Sequence, residues 1–224
     1  MRELVLDTET TGLDPAAGHR VVEIGVVELR HGMPTGQEFH IYLNPERSVP
    51  LEVVRVHGLT EEFLADKPKF AEVANDFLEF IASDRLVIHN ANFDLKFLNA
   101  ELVRLDYPPL ANPVTDTIPL ARAKFGSAPV NLDALCRRFG VDNSHRDKHG
   151  ALLDCLLLAK VYNHLLGGPQ VVLDLSLASA AADTSSPATR QPKPLRQTLS
   201  RPPTAVELTQ HEALVAGLKN PIWS

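Results

Sequence analysis

The chain has 224 residues, of which 44% are hydrophobic, and its formal net charge is −6. This length allows a full hydrophobic core, so we expect one compact domain with an additional segment. The sequence shows no apolar leader of signal-peptide length and no apolar run long enough for a membrane helix, which predicts a cytoplasmic protein without a membrane partner.

Charge is unevenly distributed along the chain. Residues 176–224 contain five Lys or Arg and three Asp or Glu, a net of +2, which leaves −8 for the rest of the −6 total. An acidic body of this kind argues against tight, phosphate-driven binding to long nucleic acids, although a local metal site could still hold one strand end. Processive action on nucleic acid would therefore require a partner.

Two carboxylates follow the first predicted strand, Leu4-Val5-Leu6. Because side chains alternate along a strand, Asp7 and Glu9 should point to one face while Leu4 and Leu6 point to the other. Two like charges at the end of a buried strand repel each other and lose hydration, and a divalent cation can offset that cost. The segment therefore predicts a metal site.

The following segments predict a meander of strands and then alternating helices and strands. Further strands are predicted at 20–31, 37–43, 86–88 and 114–117, and helical segments at 51–59, 70–81, 91–104, 118–125, 132–139 and 150–166. Turns at Asp14-Pro15 and Gly32-Met33-Pro34 connect the first strands, which should be antiparallel. The pattern predicts an α/β fold with a mixed sheet.

A second chemical element, His89-Asn90-Ala91-Asn92-Phe93-Asp94, lies at a turn from strand to helix. Ligands gather at the carboxyl ends of strands in α/β sheets, so Asp94 could face Asp7 and Glu9. The alternative is purely local: Asn90 or Asn92 caps the helix, and Asp94 interacts favourably with its dipole.

The third element contains Asp154, which lies on a helix that is apolar nearly all round. A buried carboxylate there requires a cation or a strong hydrogen-bond donor, and hydrogen bonding to the sheet is the alternative to a metal. His149 lies in the polar loop before this helix, where an imidazole can take up a proton near neutral pH. Cys136 and Cys155 lack metal-ligand or disulfide spacing, so we interpret them as packing residues in a reducing compartment.

Together the three elements resemble the motifs of the DEDDh exonuclease superfamily. The matching patterns are Asp7-x-Glu9, His89-Asn90-x-x-Phe93-Asp94 and His149-x-x-x-x-Asp154. The resemblance implies a ribonuclease-H-like α/β fold with a mixed five-stranded sheet flanked by helices. It also implies that Asp7, Glu9, Asp94 and Asp154 bind two Mg²⁺ or Mn²⁺ ions, that Asp7, Glu9 and Asp154 contribute to substrate binding, and that His149 is the general base.

Four further residues have roles that are open at the sequence level. The family resemblance implies that Glu52 and His57 contact the terminal nucleotide; otherwise they are a first-turn acid and a helix-end residue. Asp116 is either a fifth metal ligand or, more in keeping with its position before a helix, a cap. His145 is a rival base that the motif register disfavours.

Residues 3–175 most resemble the epsilon, or proofreading, subunits of bacterial DNA polymerase III, through Val56-His57-Gly58, His149 to Asp154 and Gly167-Gly168. The resemblance implies two-metal, 3′ to 5′ hydrolysis of a DNA strand end that releases nucleoside 5′-monophosphates. A stand-alone exoribonuclease that trims RNA is the runner-up. A non-enzymatic subunit is a third hypothesis, against which the complete set of catalytic residue types argues.

The tail predicts a division into an exonuclease domain (1–169), a flexible linker (170–203) and a partner-binding helix (204–224). Gln170, Leu173 and Leu175 resemble the anchors of a peptide that binds the bacterial sliding clamp, and Gln197 to Leu199 is a weaker candidate. After the linker a capping box precedes an amphipathic helix, and Trp223 suits a partner pocket. The resemblance implies the polymerase alpha subunit as that partner, and a small accessory subunit on the acidic body is a further candidate.

Overall fold

The computed structural model describes residues 1–146, 148–168 and 204–216. The chain forms two units, Met1–Val172 and Leu173–Ser224. None of the helices within the described ranges combines the length and hydropathy that a membrane span needs. The clamp-like peptide, the linker and Trp223 lie outside the described residues.

The first unit is built on a mixed five-stranded sheet with the strand order β3-β2-β1-β4-β5. The strands are β1 (Arg2–Thr10), β2 (Val21–Arg30), β3 (Met33–Tyr42), β4 (Arg85–Ile88) and β5 (Val114–Asp116). β1 pairs antiparallel with β2 and parallel with β4, so it is the central strand. The mixed α/β fold predicted from the sequence is confirmed.

Helices cover both faces of this sheet. They are α1 (Leu51–His57), α2 (Glu61–Leu64), α3 (Phe70–Ile81), α4 (Ala91–Val103), α5 (Thr117–Phe125), α6 (Leu132–Phe139) and α7 (Ala151–Leu165). Leu4 and Leu6 of β1 pack in one buried cluster with α3 and α4, whereas Val5 packs in another with α5, α6 and α7. The alternation of β1 thus supplies both cores, and the side of Val5 is the one that meets α7.

The connection between β2 and β3 is shorter than the sequence predicts. Arg30 pairs directly with Met33, so the turn is His31-Gly32 and β3 begins at Met33, not at Gln37. Both turn residues have positive φ, +53° for His31 and +77° for Gly32, which is the backbone of a two-residue hairpin that matches strand twist. The predicted turn at Gly32-Met33-Pro34 is wrong, because Met33 and Pro34 already belong to β3. Proline is tolerated there because β3 is an edge strand.

Most helix boundaries agree with the predictions to within a residue. Asn131 accepts a hydrogen bond from Ala134 N at 2.8 Å and caps α6 as expected. The short helix α2 was not predicted as a separate element, and Thr60 caps it through Phe63 N. In the second unit, α8 (Ala205–Ala216) begins after Thr204, and Thr204 N donates to Glu207 Oε2 at 2.7 Å, which confirms the predicted capping box.

Candidate active site

Asp7 and Glu9 lie at the carboxyl end of β1, on the face opposite Leu4 and Leu6. Asp7 is directly opposite Gly25 on β2, and Glu9 is opposite Glu23. Residues opposite each other in an antiparallel pair share one face, so Gly25 leaves the space beside Asp7 free of a side chain. The central strand therefore presents two carboxylates toward the helix layer of α7.

Gly25 brings the first turn of α7 against the sheet. A Cβ atom at position 25 would lie 2.5 Å from the backbone C of Ala151 and 2.5 Å from the backbone N of Leu152. The Cys155 thiol also donates to the Gly25 carbonyl at 3.2 Å. This close packing places Asp154, which is buried in the same turn of α7, on the side of the sheet that carries Asp7.

Asp94 follows β4, the other strand that pairs with β1, and is held against β1 by hydrogen bonds. It lies in the first turn of α4 and is buried, and its Oδ1 accepts hydrogen bonds from Thr8 N at 2.9 Å and from Thr8 Oγ1 at 2.7 Å. These bonds connect the turn after β4 to the end of β1. Thr8 therefore positions a carboxylate.

Asp116 is a cap for two helices. Its carboxylate accepts from Ile118 N at 2.9 Å in its own helix α5, and from Asn90 N and Ala91 N, both at 3.2 Å, at the start of α4. The prediction that Asn90 or Asn92 caps α4 through its side chain is wrong for Asn90, which is in the left-handed region and makes no such bond. An acid from the neighbouring strand already satisfies the backbone donors there.

His149 lies beside Asp154 in the loop before α7. Its Nδ1 is 3.5 Å from Asp154 Oδ2, and its side chain is 46% exposed, so it can reach both the carboxylate and an incoming molecule. The His149 backbone N donates to Val56 O at 3.1 Å, which attaches this loop to α1. His145 is exposed on the same loop and does not line the cleft that contains His149.

Arg146 is the residue of this loop that the sequence did not single out. Its Nε donates to Asp154 Oδ1 and its Nη2 to Asp154 Oδ2, both at 2.5 Å. Its Nη1 donates to Asp133 Oδ1 at 2.9 Å, and Nη2 lies 2.9 Å from His149 Nδ1. Asp7, Arg146, His149 and Asp154 all line one cleft of about 220 Å³.

We call Asp7, Glu9, Asp94 and Asp154 the carboxylate site. Burial raises the pKa of Asp7 well above its usual value, and Asp94, Asp154 and Glu9 add to the effect. Burial also raises the pKa of Glu9 to about 8 and that of Asp94 to about 7, the latter despite the opposing bonds from Thr8. The ionised site is therefore short of positive charge.

The composition of the site suits a hard divalent cation. Glu9, His149 and Asp154 each offer a ligand atom, and these atoms lie within 4.8 Å of one another. Carboxylate oxygens are the ligands that Mg²⁺ and Mn²⁺ prefer, and a cation would offset the repulsion that raises the pKa values above. The residues present therefore fit a metal centre.

Glu52 and His57 lie apart from the cleft of Asp154. Glu52 is exposed and lines a groove of about 480 Å³ with Thr11, Gly12 and Leu13, next to the end of β1. His57 is buried, its Nδ1 accepts from Leu59 N at 3.0 Å, and burial lowers the pKa of its ring. Glu52 is therefore accessible from the groove, whereas the side chain of His57 lies within the protein.

The comparisons with known proteins agree with this geometry. Residues 4–162 match the model of a family described as exonuclease. A DNA polymerase III subunit epsilon from Rickettsia conorii is 48% identical over 221 residues, covering 96% of each chain. The chain belongs to the exonuclease family, among the DNA polymerase III epsilon subunits. The epsilon subunit of Escherichia coli K12 is 42% identical over 225 residues, covering 95% of this chain and 91% of its own.

A solved structure extends the likeness to three dimensions. Exonuclease X in complex with 5′ overhanging duplex DNA is 25% identical, with a TM-score of 0.59 over 73% of this chain and 90% of its own. The epsilon-type chain is thus a nuclease hydrolase with the proofreading exonuclease role of its class. The exonuclease fold implies dependence on a divalent metal.

Three residues that position or contact this epsilon-type site were not assigned from the sequence, namely Gly25, Thr8 and Arg146. Gly25 interrupts the β-branched run of β2, and an isolated glycine in a strand is a signal for close backbone approach. Thr8 gave no signal, since threonine is common in strands and its partner Asp94 is distant in sequence. Arg146 was visible only as one charge in a polar loop.

Proposed function

We propose that the protein removes nucleotides one at a time from the 3′ end of single-stranded DNA, releasing nucleoside 5′-monophosphates. The observation that supports this most directly is the convergence of a buried strand, α4 and α7 on four carboxylates with His149 at their edge. In this proposal Asp7, Glu9, Asp94 and Asp154 would hold two Mg²⁺ or Mn²⁺ ions, and Asp7 would contribute from the central strand of the sheet.

Bound divalent ions would polarise the scissile phosphate and stabilise the charge that develops on the attacking and departing oxygens. The four carboxylates would hold the positive charge of the ions in a fixed place, because β1 and its neighbouring strands cannot shift without disturbing two hydrophobic cores. His149 takes the proton of the attacking water, and its exposed position beside Asp154 supports this assignment. The bond from His149 N to Val56 O keeps the ring at the cleft.

The terminal nucleotide would lie in the groove beside Gly12. Glu52 lines that groove and can accept from a sugar hydroxyl. In this proposal His57, at the end of the same helix, would also contact the terminal nucleotide. Asp7, Glu9 and Asp154 would meet the phosphate through the metal ions. The same strand leads to both sites, because Asp7 of β1 lines the cleft and Thr11 and Gly12, just after β1, line the groove.

The test is hydrolysis of a 5′-labelled single-stranded DNA with a free 3′ hydroxyl in Mg²⁺ or Mn²⁺. We expect mononucleotide release by the wild type, and His149→Gln should lower the single-turnover rate by about 10²- to 10⁴-fold because the general base is lost. His145→Gln is the matched control and should retain the wild-type rate, since His145 is exposed and does not line the cleft.

Two results would contradict this assignment. Equal loss of rate in the two histidine variants would show that His149 is not the base. Equal or faster release from an RNA of the same sequence would favour the alternative of an exoribonuclease, because the carboxylate site itself does not distinguish a ribose from a deoxyribose.

We propose that residues 204–224 bind the polymerase III alpha subunit and that Gln170, Leu173 and Leu175 bind the sliding clamp weakly. The capped helix α8 supports the first part, since residues 204–211 expose their side chains. Tethering would raise the local concentration of the exonuclease at the primer end, compensating for the acidic body. Partnership with a replicative polymerase would place the protein in the bacterial cytoplasm, and a small accessory subunit remains a further candidate.

Removing residues 204–224 should abolish co-purification with the polymerase subunit and leave hydrolysis of single-stranded DNA unchanged, because the carboxylate site lies wholly in the first unit. Binding is measured by size-exclusion chromatography of the mixed subunits, with the full chain as reference. Gln170→Ala with Leu173→Ala serves as the control: it should retain the polymerase subunit and lose only clamp binding. Co-elution of the truncated chain would contradict the assignment.

A further inference from the structure

The guanidinium of Arg146 makes a two-pronged contact with Asp154. Nε and Nη2 each donate to a different oxygen of that carboxylate at 2.5 Å, and the Arg146 side chain is only 6% exposed. Paired N–H donors in this geometry form the strongest and most directional ion pairs between side chains. Both oxygens of Asp154 are therefore engaged by one cation.

Arg146 is well placed to balance the carboxylate site. Among the described residues it is the one Lys or Arg whose side chain bonds to any of the four carboxylates. Its charge acts on Glu9 as well as on Asp154, in opposition to the repulsion between the acids. A divalent ion on Asp154 would need the same oxygen lone pairs, so the two cations compete.

The same guanidinium also engages His149. Nη2 of Arg146 lies 2.9 Å from His149 Nδ1, and because a guanidinium has only donors, Nδ1 must be the acceptor. The proton of the neutral ring is then on Nε2. While this contact exists, His149 has no free nitrogen with which to accept a proton from water.

We propose that Arg146 is an internal counter-cation of the exonuclease site, which positions Asp154 and His149 and is displaced from both when metal ions bind. Displacement exposes the oxygens of Asp154 and frees Nδ1 of His149 in one step, so metal loading and activation of the base are coupled. This inference rests on the proposed function, since it takes Asp154 as a metal ligand and His149 as the base.

The first test measures Mn²⁺ binding without substrate, by titration with detection of free Mn²⁺ by electron paramagnetic resonance. Arg146→Gln should bind Mn²⁺ about tenfold more tightly, because a charge-assisted pair no longer competes. Its metal-free form should unfold at lower urea than the wild type, since the carboxylates lose their counter-cation. Arg146→Lys should fall between the two, because an ammonium supplies charge but not the fork.

Arg137→Gln is the matched control. Arg137 is exposed on α6 and does not contact the carboxylate site. Replacing it with Gln removes the same charge as Arg146→Gln, so the Mn²⁺ affinity of Arg137→Gln should equal that of the wild type. Equal tightening in Arg137→Gln, or unchanged or weaker affinity in Arg146→Gln with a native circular dichroism spectrum, overturns the inference. Absence of Mn²⁺ binding to the wild type overturns both this inference and the proposed function, whereas binding that Arg146→Gln does not change overturns the inference alone.

A second test uses the unaltered protein, so it does not depend on folding of a variant. In the absence of metal, the Nε–H group of Arg146 should give a ¹H–¹⁵N resonance that is protected from exchange with water. The resonance is assigned by comparison with the spectrum of Arg146→Lys. Titration with diamagnetic Mg²⁺ should shift it toward the position of a solvent-exposed arginine as the fork on Asp154 opens. A resonance that keeps its position and protection at saturating Mg²⁺ overturns the inference.

Discussion

Asp7→Asn is expected to lower the rate of DNA hydrolysis by about 10³-fold or more and, at the same time, to stabilise the metal-free protein. The rate falls because Asn keeps the shape of the side chain but not the charge that holds the metal ions, whose contribution amounts to several kcal/mol. Stability rises because Asp7 is the acid on which burial and four neighbouring carboxylates act together. Single-turnover hydrolysis and urea unfolding in a chelator measure the two effects.

The stability effect has a defined pH dependence. Acids whose pKa is raised by folding destabilise the folded state once the pH exceeds their unfolded pKa of about 4, and the loss continues up to the folded pKa. For Glu9 that folded pKa is about 8 and for Asp94 about 7. The metal-free wild type should therefore lose stability between about pH 4 and about pH 8, and Asp7→Asn should lose less.

Asp76→Asn is the control for charge alone, since Asp76 is exposed on α3 and does not line the cleft of the carboxylate site. It should retain both the wild-type rate and the wild-type pH dependence of unfolding. A metal-free Asp7→Asn protein that is less stable than the wild type at about pH 8 would contradict the account of mutual repulsion, because the substitution would then have removed a favourable interaction.

The parts of the site that the sequence predicted are those with a local signature. Asp7 and Glu9 follow from alternation along one strand, and Asp154 from a charge within an apolar helix. In each case the residue conflicts with its own immediate surroundings, and that conflict is visible without knowing the fold. The α/β order of elements is predictable for the same reason, because hydrophobic period is a local property.

The parts that were not predicted depend on contacts between distant segments. Asp116 caps α4 from a neighbouring strand, which no pattern within α4 reveals. Thr8 holds Asp94 across 86 positions, and the fork of Arg146 depends on a loop conformation that periodicity does not determine. The hairpin at His31-Gly32 differs for another reason, since a non-glycine residue there adopts positive φ.

The contact between Gly25 of β2 and the first turn of α7 brings Asp7 and Asp154 to the same place. Asp7 is opposite Gly25, and Asp154 lies in the turn of α7 that packs on Gly25. The separation between these carboxylates thus depends on the absence of a side chain at position 25, which lets α7 pack directly on the backbone of β2. A side chain at position 25 would act on both the stability of the fold and the geometry of the site.

Gly25→Ala should therefore lower the free energy of unfolding by about 1 to 3 kcal/mol and the hydrolysis rate by about 10²-fold. The new Cβ would meet backbone atoms of Ala151 and Leu152 at 2.5 Å, which no change of rotamer can relieve, so α7 must move away from β2. A displacement on the order of 1 Å carries Asp154 away from Asp7 and weakens the shared site. Urea unfolding with and without Mn²⁺, together with single-turnover hydrolysis, measures both effects.

Gly150→Ala is the matched control, because it adds the same methyl group one residue before α7. Position 150 has an extended φ of −144°, and a Cβ there meets nothing within 4 Å, so the free energy of unfolding should change by less than about 1 kcal/mol. The Mn²⁺-induced gain in stability should shrink in Gly25→Ala but not in Gly150→Ala, since only the former separates the ligands. If Gly25→Ala matches the wild type in stability and in its response to Mn²⁺, then the spacing of β2 and α7 does not set the geometry of the carboxylate site.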